Sequence, residues 1–194
     1  MKHYFNLLIS RKKGRSKKGT RCTQISAGSK GSNVHVVGCM VNMRLFHYEV
    51  RKGSFKKPQT QEFVRNCLRI SQTTYQTPVV MIIDNAPCHM EIEEVFAEEE
   101  LLRLGPYSPM LDAIEYAWPS LKASVKSDIA IQMVSILSGD GRGSSTQTEF
   151  RLQQLEEIIH DNISITFTVS NYTRFIAHVQ RFIPDALDLV NVIF

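Results

Sequence analysis

The stretch VVMIIDNAPCH, residues 79–89, is an apolar run that stops at an acid, an amide and a proline. Pro78 opens it, and its unbroken apolar character through Ile83 predicts a central strand, VVMIID (79–84), covered on both faces. Asp84 stands at the exit of that strand, and two readings are open for it. Asp and Asn commonly begin the loop that follows a strand, because their side chains bond the backbone two residues on. A carboxylate fixed at a buried strand end is also a natural metal ligand.

Working outward, TQEFVRNCLRISQTT (60–74) puts Phe63, Cys67, Leu68 and Ile70 at helical spacing and predicts a helix. Before it, NVHVVGCMVN (33–42) and RLFHYEV (44–50) are β-branched and aromatic runs with a very short break, which predicts an antiparallel hairpin. FNLLIS (5–10) reads as a further strand or part of one. Beyond Asp84, EIEEVFAEEELL (91–102) reads as an acidic helix running into the short apolar segment LLRL, and GPYSP (105–109) is a turn. LDAIEYAWPSLKASVK (111–126) reads as a helix with Ile114, Trp118 and Leu121 on one side, although Pro119 inside it is awkward. EFRLQQLEEIIHDNI and NYTRFIAHVQRFI read as amphipathic helices, and the terminal LDLVNVIF should dock on something. This order predicts an α/β fold with a mixed sheet flanked by helices. The expected division is a core over residues 1–128, a linker over 129–146 centred on SGDGRGSST, and a helical extension over 147–194.

Charge is strongly segregated along the chain. Residues 1–57 carry fourteen Lys or Arg against the single acid Glu49, giving +13, whereas residues 58–194 carry nine against eighteen acids, giving −9. Such a field suggests a polyanionic partner for the first third. Its densest part is RKKGRSKK (11–18), and Arg11, Lys12, Lys13, Arg15, Lys17, Lys18 and Arg21 are the candidate nucleic-acid contacts. A nuclear address or a solvated hairpin remain the other readings of that octamer. GRSKKGT (14–20) is not a phosphate-binding loop, since Thr20 stands where the motif needs Lys. Cys22, Cys39, Cys67 and Cys88 form no C-x-x-C pair, which argues against a zinc site and for reduced thiols. No apolar run approaches the roughly 20 residues that span a bilayer, so no membrane partner is expected. The sequons at Asn162 and Asn171 read as chance matches.

Glu115 is the second acid of interest. Asp112 is an expected N-cap with Glu115 three residues on, so D-A-I-E reads as a capping box that needs no catalytic role. Taken together, however, MIIDNAPCH (81–89) and LRLGPYSPMLDAIEYAWPSLK (102–122) resemble the DDE transposases of the mariner superfamily and their bacterial insertion-sequence relatives. That family has an apolar strand ending in Asp-Asn-Ala with a His nearby, matched here by Asp84, Asn85, Ala86 and His89. It then has a block LPPYSP-x-LNPIE-x-x-W-x-x-LK. Leu104, Pro106, Tyr107, Ser108, Pro109, Leu111, Ile114, Glu115, Trp118, Leu121 and Lys122 match it.

The resemblance implies an RNase H-like fold that cleaves and joins DNA phosphodiesters with two divalent ions about 3.5–4 Å apart. Asp84 and Glu115 would be two of three catalytic, metal-holding carboxylates. Mg²⁺ or Mn²⁺ suits such an all-oxygen site, and no small-molecule cofactor is implied. Lys122 would join the basic residues in holding phosphate. Asn85, His89 and Asp112 would support the site, with His89 orienting a carboxylate or phosphate. DNA is the implied partner, a homodimer is compatible with the family, and the nucleus is the expected location in a eukaryote. Two departures stand out. The family's first acid falls at about Met1 and Lys2, so the first strand reads as incomplete and catalysis as impaired. Asn-Pro of the second block is Asp112-Ala113, an added carboxylate beside Glu115. A non-catalytic nucleic-acid-binding or assembly module derived from a transposase is therefore the alternative expectation.

Overall fold

The computed structural model describes residues 2–7, 15–23, 31–41, 44–53, 55–75, 78–96 and 99–188. Three strands, β1 (Lys2–Phe5), β2 (Val34–Val41) and β3 (Arg44–Lys52), form an antiparallel sheet in the order β1-β2-β3. The expected hairpin is β2–β3, with a register shift between Cys39 and Met40. Alternation along β2 sends Val34 and Val36 into one core and Val37 into another, so this sheet is covered on both faces. Of the described part of FNLLIS, residues 5–7, Phe5 alone lies in β1. Phe5 pairs with Val34, where β2 begins, so a strand continuing past Phe5 would have no partner. Asn6 instead bonds the Asn33 side chain (3.4 Å), and Leu7 is buried outside the ladder. The segment 8–10 lies outside the described residues.

Helix α1 (Lys57–Thr74) begins at a box in which the Lys56 amide donates to Gln59 Oε1 (2.9 Å). It buries Phe63, Val64, Cys67 and Leu68 at the 3–4 residue spacing of one helical face. That face packs on Val37 of β2 and on Ile83 and Met81 of β4 (Val80–Ile83). β4 pairs in parallel with β5 (Glu100–Arg103), and among the described residues this pair is a separate sheet from β1–β3. The expectation that β4 is covered on both faces fails. Met81 and Ile83 face α1, whereas Val80 and Ile82 are 53% and 55% exposed, with Leu102 of β5 at 48%.

The acidic helix expected over 91–102 is absent. The described part of that span holds one 3-10 turn, Ile92–Val95, and then β5. Like charges at 91, 93, 94, 98, 99 and 100 would crowd a helix surface, and the apolar LLR segment completes a parallel ladder instead. Ile92 (0% exposed) pins the turn beneath α1.

The helix expected from residue 111 starts later and ends later. Two 3-10 turns, Pro109–Leu111 and Ala113–Tyr116, precede α2 (Ala117–Ser138). Pro119 then lies in the first turn, where an amide has no intrahelical acceptor to lose, which removes the difficulty it posed. Trp118, Leu121, Val125, Ile129, Met133 and Ile136 form the buried stripe of α2. The helix runs past residue 128 to a left-handed cap at Gly139 (φ 75°), whose amide donates to the Ser135 carbonyl (3.2 Å).

Helix α3 (Gln147–Thr166) starts at a Thr146/Glu149 capping box and returns along α2, so SGDGRGSST joins two packed helices. Leu155, Ile158 and Ile159 of α3 share a core with Val36 and Leu121. Between the helices Asn162, fully buried, donates to Asp128 Oδ2 (2.7 Å) and the Ile158 carbonyl (2.9 Å) and accepts from Ser124 Oγ. This satisfied polar cluster fixes the helix register. Helix α4 (Val169–Gln180) places Tyr172 and Phe175 against Ala117, and the short α5 (Ile183–Leu187) follows. Residues 189–194, most of the expected docking tail, lie outside the described residues. Among the described residues no helix is long and apolar enough to cross a membrane.

A candidate carboxylate site between β4 and α2

Asp84 follows β4 directly. The strand end is held by the Leu104 amide, which donates to the Ile83 carbonyl (2.9 Å), and by Asn85 Nδ2, which donates to the Leu104 carbonyl. Asp84 Oδ1 accepts from the Ala86 amide (3.2 Å), so the loop-opening reading is met. The same oxygen forms an ion pair with His89 Nδ1, carried on the 3-10 turn Pro87–His89. The His89 ring is buried, and its Nδ1 also lies 3.3 Å from the Asp84 carbonyl oxygen. Arg103 clamps this turn from β5, its Nη2 donating to the His89 carbonyl (2.7 Å) and its Nε to Glu93. Arg103 carried no signal in the sequence, because its role depends on the β4–β5 pairing.

Burial disfavours the charged His89 ring, but hydrogen bonds to Asp84 and Cys88 outweigh it and bring its pKa up to about 9. Burial likewise raises Asp84, yet the His89 hydrogen bond and charge, with the Ala86 amide, hold the carboxyl below its usual range. At neutral pH this is an imidazolium–carboxylate pair at a rigid strand end.

Glu115 and Asp112 approach from the other side. Gly38 on β2 explains how: a Cβ there would stand 3.2 Å from Ile114 Cδ1 and 3.5 Å from Trp118 Cη2. The segment carrying Glu115 therefore lies directly on β2. Asp112 caps the 3-10 turn Ala113–Tyr116 by accepting from the Ile114 amide (3.2 Å). The predicted capping box is not formed, because Glu115 Oε1 is buried with no hydrogen-bond partner. The Trp118 indole alongside favours the carboxylate slightly, but its Nε1 completes no hydrogen bond either. Trp118 is 2% exposed, a core residue as expected.

Burial, then repulsion from Asp112 and Asp84, pushes Glu115 up to about pKa 7. Burial and Asp84 also raise Asp112. The three acids thus sense one another across the gap between β4 and α2, with His89 as a neighbouring cation. A buried carboxylate oxygen without a donor, beside two further acids, suits a hard divalent cation, which would relieve the repulsion and satisfy the orphaned oxygen. Among the described residues, however, no three potential ligands are gathered closely enough to form a complete metal cage.

The basic candidates divide. Arg15, Lys17, Lys18 and Arg21 are exposed on a turn closed by Thr20 Oγ1 donating to the Lys17 carbonyl (2.7 Å) and Ser16 Oγ donating to the Thr20 carbonyl (2.8 Å). No described hydrogen bond or ion pair ties that turn to the acids. Arg11, Lys12 and Lys13 lie outside the described residues. Lys122, two helical turns beyond Glu115, sits 5.6 Å over the Tyr4 ring and, after burial, lowers the His3 pKa. His3 stacks on Trp118 (centroids 6.1 Å apart), a contact the sequence did not signal. Tyr107 of the YSP turn is 95% exposed at φ 56°, an unusual conformation for an aromatic residue beside a carboxylate site.

Comparison with known proteins agrees with the fold and the two sequence blocks. Among curated proteins none matches this sequence significantly. Among solved structures, the Mos1 transposase paired-end complex with left transposon end is 18% identical at a TM-score of 0.54, over 87% of this chain and 54% of that one. The mariner Mos1 paired end complex with Mg is 17% identical at 0.52, over 86% and 54%. The corresponding complex with Mn is 18% identical at 0.50, over 86% and 55%. The chain therefore shares the RNase H-like α/β fold of these transposases and spans about half their length. Residues 4–137 match the family described as DDE superfamily endonuclease, a span that includes Asp84 and Glu115, and the chain belongs to that family.

Proposed function

We propose that this chain is a DDE transposase domain that binds DNA and contributes Asp84 and Glu115 to a site for Mg²⁺ or Mn²⁺. The observation that carries this reading is the buried, unpartnered Glu115 oxygen, with its carboxyl pushed up to about 7 beside Asp112 and Asp84. A carboxyl kept at that cost has a natural purpose as a cation ligand. A bound divalent ion would lower the pKa of an attacking water or 3′-hydroxyl and neutralise charge on the leaving oxygen. The chain's own groups supply the rest. β4 fixes Asp84, His89 holds the Asp84 carboxylate in one orientation, and the Ala113–Tyr116 turn delivers Glu115. Asp112, where the family has Asn, adds negative charge next to Glu115.

DNA is the proposed substrate, a homodimer the proposed assembly, and the nucleus the proposed location in a eukaryotic host. The family's first acid corresponds to Met1–Lys2, so the reading expects little or no strand transfer from this chain alone. The test is nicking of supercoiled plasmid in Mg²⁺ and in Mn²⁺. Activity of the unaltered chain that disappears in Asp84→Asn would show that two family acids suffice and would overturn the expected impairment.

A second reading is a DNA-binding module without catalysis, favoured by the exposed Arg15, Lys17, Lys18 and Arg21 and by the +13/−9 charge split. Steeply salt-dependent DNA binding that is indifferent to divalent metal would select it.

A further inference from the structure

Two of the four cysteines meet between β2 and α1. Alternation along β2 sends Val37 and Cys39 to the face that α1 covers, while Gly38 faces Ile114 and Trp118 on the other side. On α1, Cys67 belongs to the buried stripe with Phe63, Val64 and Leu68 and is 1% exposed. The Cys67 thiol donates a hydrogen bond to the Cys39 sulfur, and both side chains line a cavity of about 310 Å³ that also borders β4. Cys39 is partly exposed, so the pair has one accessible and one buried sulfur. Among the described residues, neither Cys22 nor Cys88 belongs to that core cluster or lines that cavity.

The contact divides the chemistry between the two sulfurs. The hydrogen bond from Cys67 favours the Cys39 thiolate and outweighs burial, which holds the Cys39 thiol below its usual range. The same contact, together with burial, keeps Cys67 protonated. An accessible sulfur with thiolate character beside a protonated one suits oxidation of the first and its resolution by the second.

We propose that Cys39 and Cys67 form an oxidisable dithiol that takes a small hydroperoxide, hydrogen peroxide being the simplest, and yields an intrachain disulfide joining β2 to α1. The Cys39 thiolate attacks one peroxide oxygen and the O–O bond breaks. Cys39 then carries a sulfenic acid, while hydroxide leaves and takes up a proton. This removes the negative charge that kept Cys67 protonated. The Cys67 sulfur attacks the Cys39 sulfur, the S–O bond breaks, and the oxygen leaves as water with the Cys67 proton. In sum the two thiols lose two electrons and two protons, and the peroxide becomes two waters. Reducing thiols return the bond to the dithiol by exchange, so the link is conditional on its surroundings.

Placement gives the bond a consequence. Gly38, next to Cys39, seats the segment that carries Glu115, and α1 packs on Met81 and Ile83 immediately ahead of Asp84. The disulfide therefore ties the support of one acid to the support of the other. The inference itself does not depend on the catalytic reading.

The test treats the full 194-residue chain with hydrogen peroxide, folded and again in urea, blocks the remaining thiols, and maps linked peptides by mass spectrometry. In the folded chain the Cys39–Cys67 link should exceed every other pairing of the four cysteines by about tenfold or more, a preference that urea abolishes. Dithiothreitol should restore both thiols. In Cys67→Ala, which lacks the resolving thiol, dimedone should trap a sulfenic acid on Cys39 that it does not trap in the unaltered chain. Links between chains, equal pairing among the four cysteines, or an equal yield in urea would overturn the inference. So would oxidation of Cys39 that leaves Cys67 free, or survival of both thiols at peroxide levels that oxidise the exposed Cys22.

Discussion

Glu115→Gln should stabilise this protein at alkaline pH in the presence of a chelator. Burial and the neighbouring Asp112 and Asp84 raise the Glu115 carboxyl from 4.5 to about 7. A carboxyl raised on folding contributes its stability below the unfolded value, near 4.5, and loses it as pH climbs through 7. The whole gap corresponds to roughly 3 kcal/mol, and partial solvent screening of this half-buried side chain reduces the expectation to ~2 kcal/mol. Glutamine keeps the shape and carries no charge, so it escapes that loss and also relieves Asp112 and Asp84. Urea unfolding of the two proteins at pH 8.5 should therefore favour Glu115→Gln by ~2 kcal/mol, with the difference falling below ~1 kcal/mol at pH 5. An equal difference at both pH values would refute the electrostatic argument, as would a less stable variant at pH 8.5.

The core and the DNA contact carry further expectations. Leu121→Ala empties a fully buried position between the sheet and α3 and should cost about 2–5 kcal/mol. Ile131→Ala on the same helix, 76% exposed, should stay within about 0.5 kcal/mol of the parent, and urea midpoints decide both. Replacing Lys17 and Lys18 together by Ala should weaken binding to all DNA sequences alike and flatten the plot of log affinity against log salt by about 2. A change confined to one sequence would contradict phosphate contact.

Much of the fold was legible because its signals are local. The β-branched run 33–42, the helical spacing of Phe63, Cys67 and Leu68, and the stripe from Trp118 to Leu121 each specify an element through neighbouring residues. What escaped was set by pairing across the chain. LLR became β5 because it found β4, and the acidic segment before it was left as one 3-10 turn anchored by Ile92. β1 stops at Phe5 because β2 starts at Val34. The exposed face of β4 could not be read from VVMII, since an apolar run does not say which of its faces another element covers.

The site shows the same division. Asp84 and Asp112 were legible as a strand exit and a cap, and both roles are present. The capping box, one of the two readings open for Glu115, is not formed, for a geometric reason. The segment enters a 3-10 turn before α2 begins, and its side chain is left without the amide it would have capped. The His89–Asp84 pair and its Arg103 clamp needed three elements to converge, which spacing alone could not show.

Binding of Mn²⁺ to the full chain, titrated calorimetrically at pH 7.5 against Asp84→Asn and Glu115→Gln, tests the central claim most directly. The account predicts saturable binding that tightens as pH rises through 7, since only ionised Glu115 is a ligand, and a loss of at least about tenfold in affinity in either variant. Undiminished binding in both variants, or none in the unaltered chain, would contradict the assignment of these acids as metal ligands.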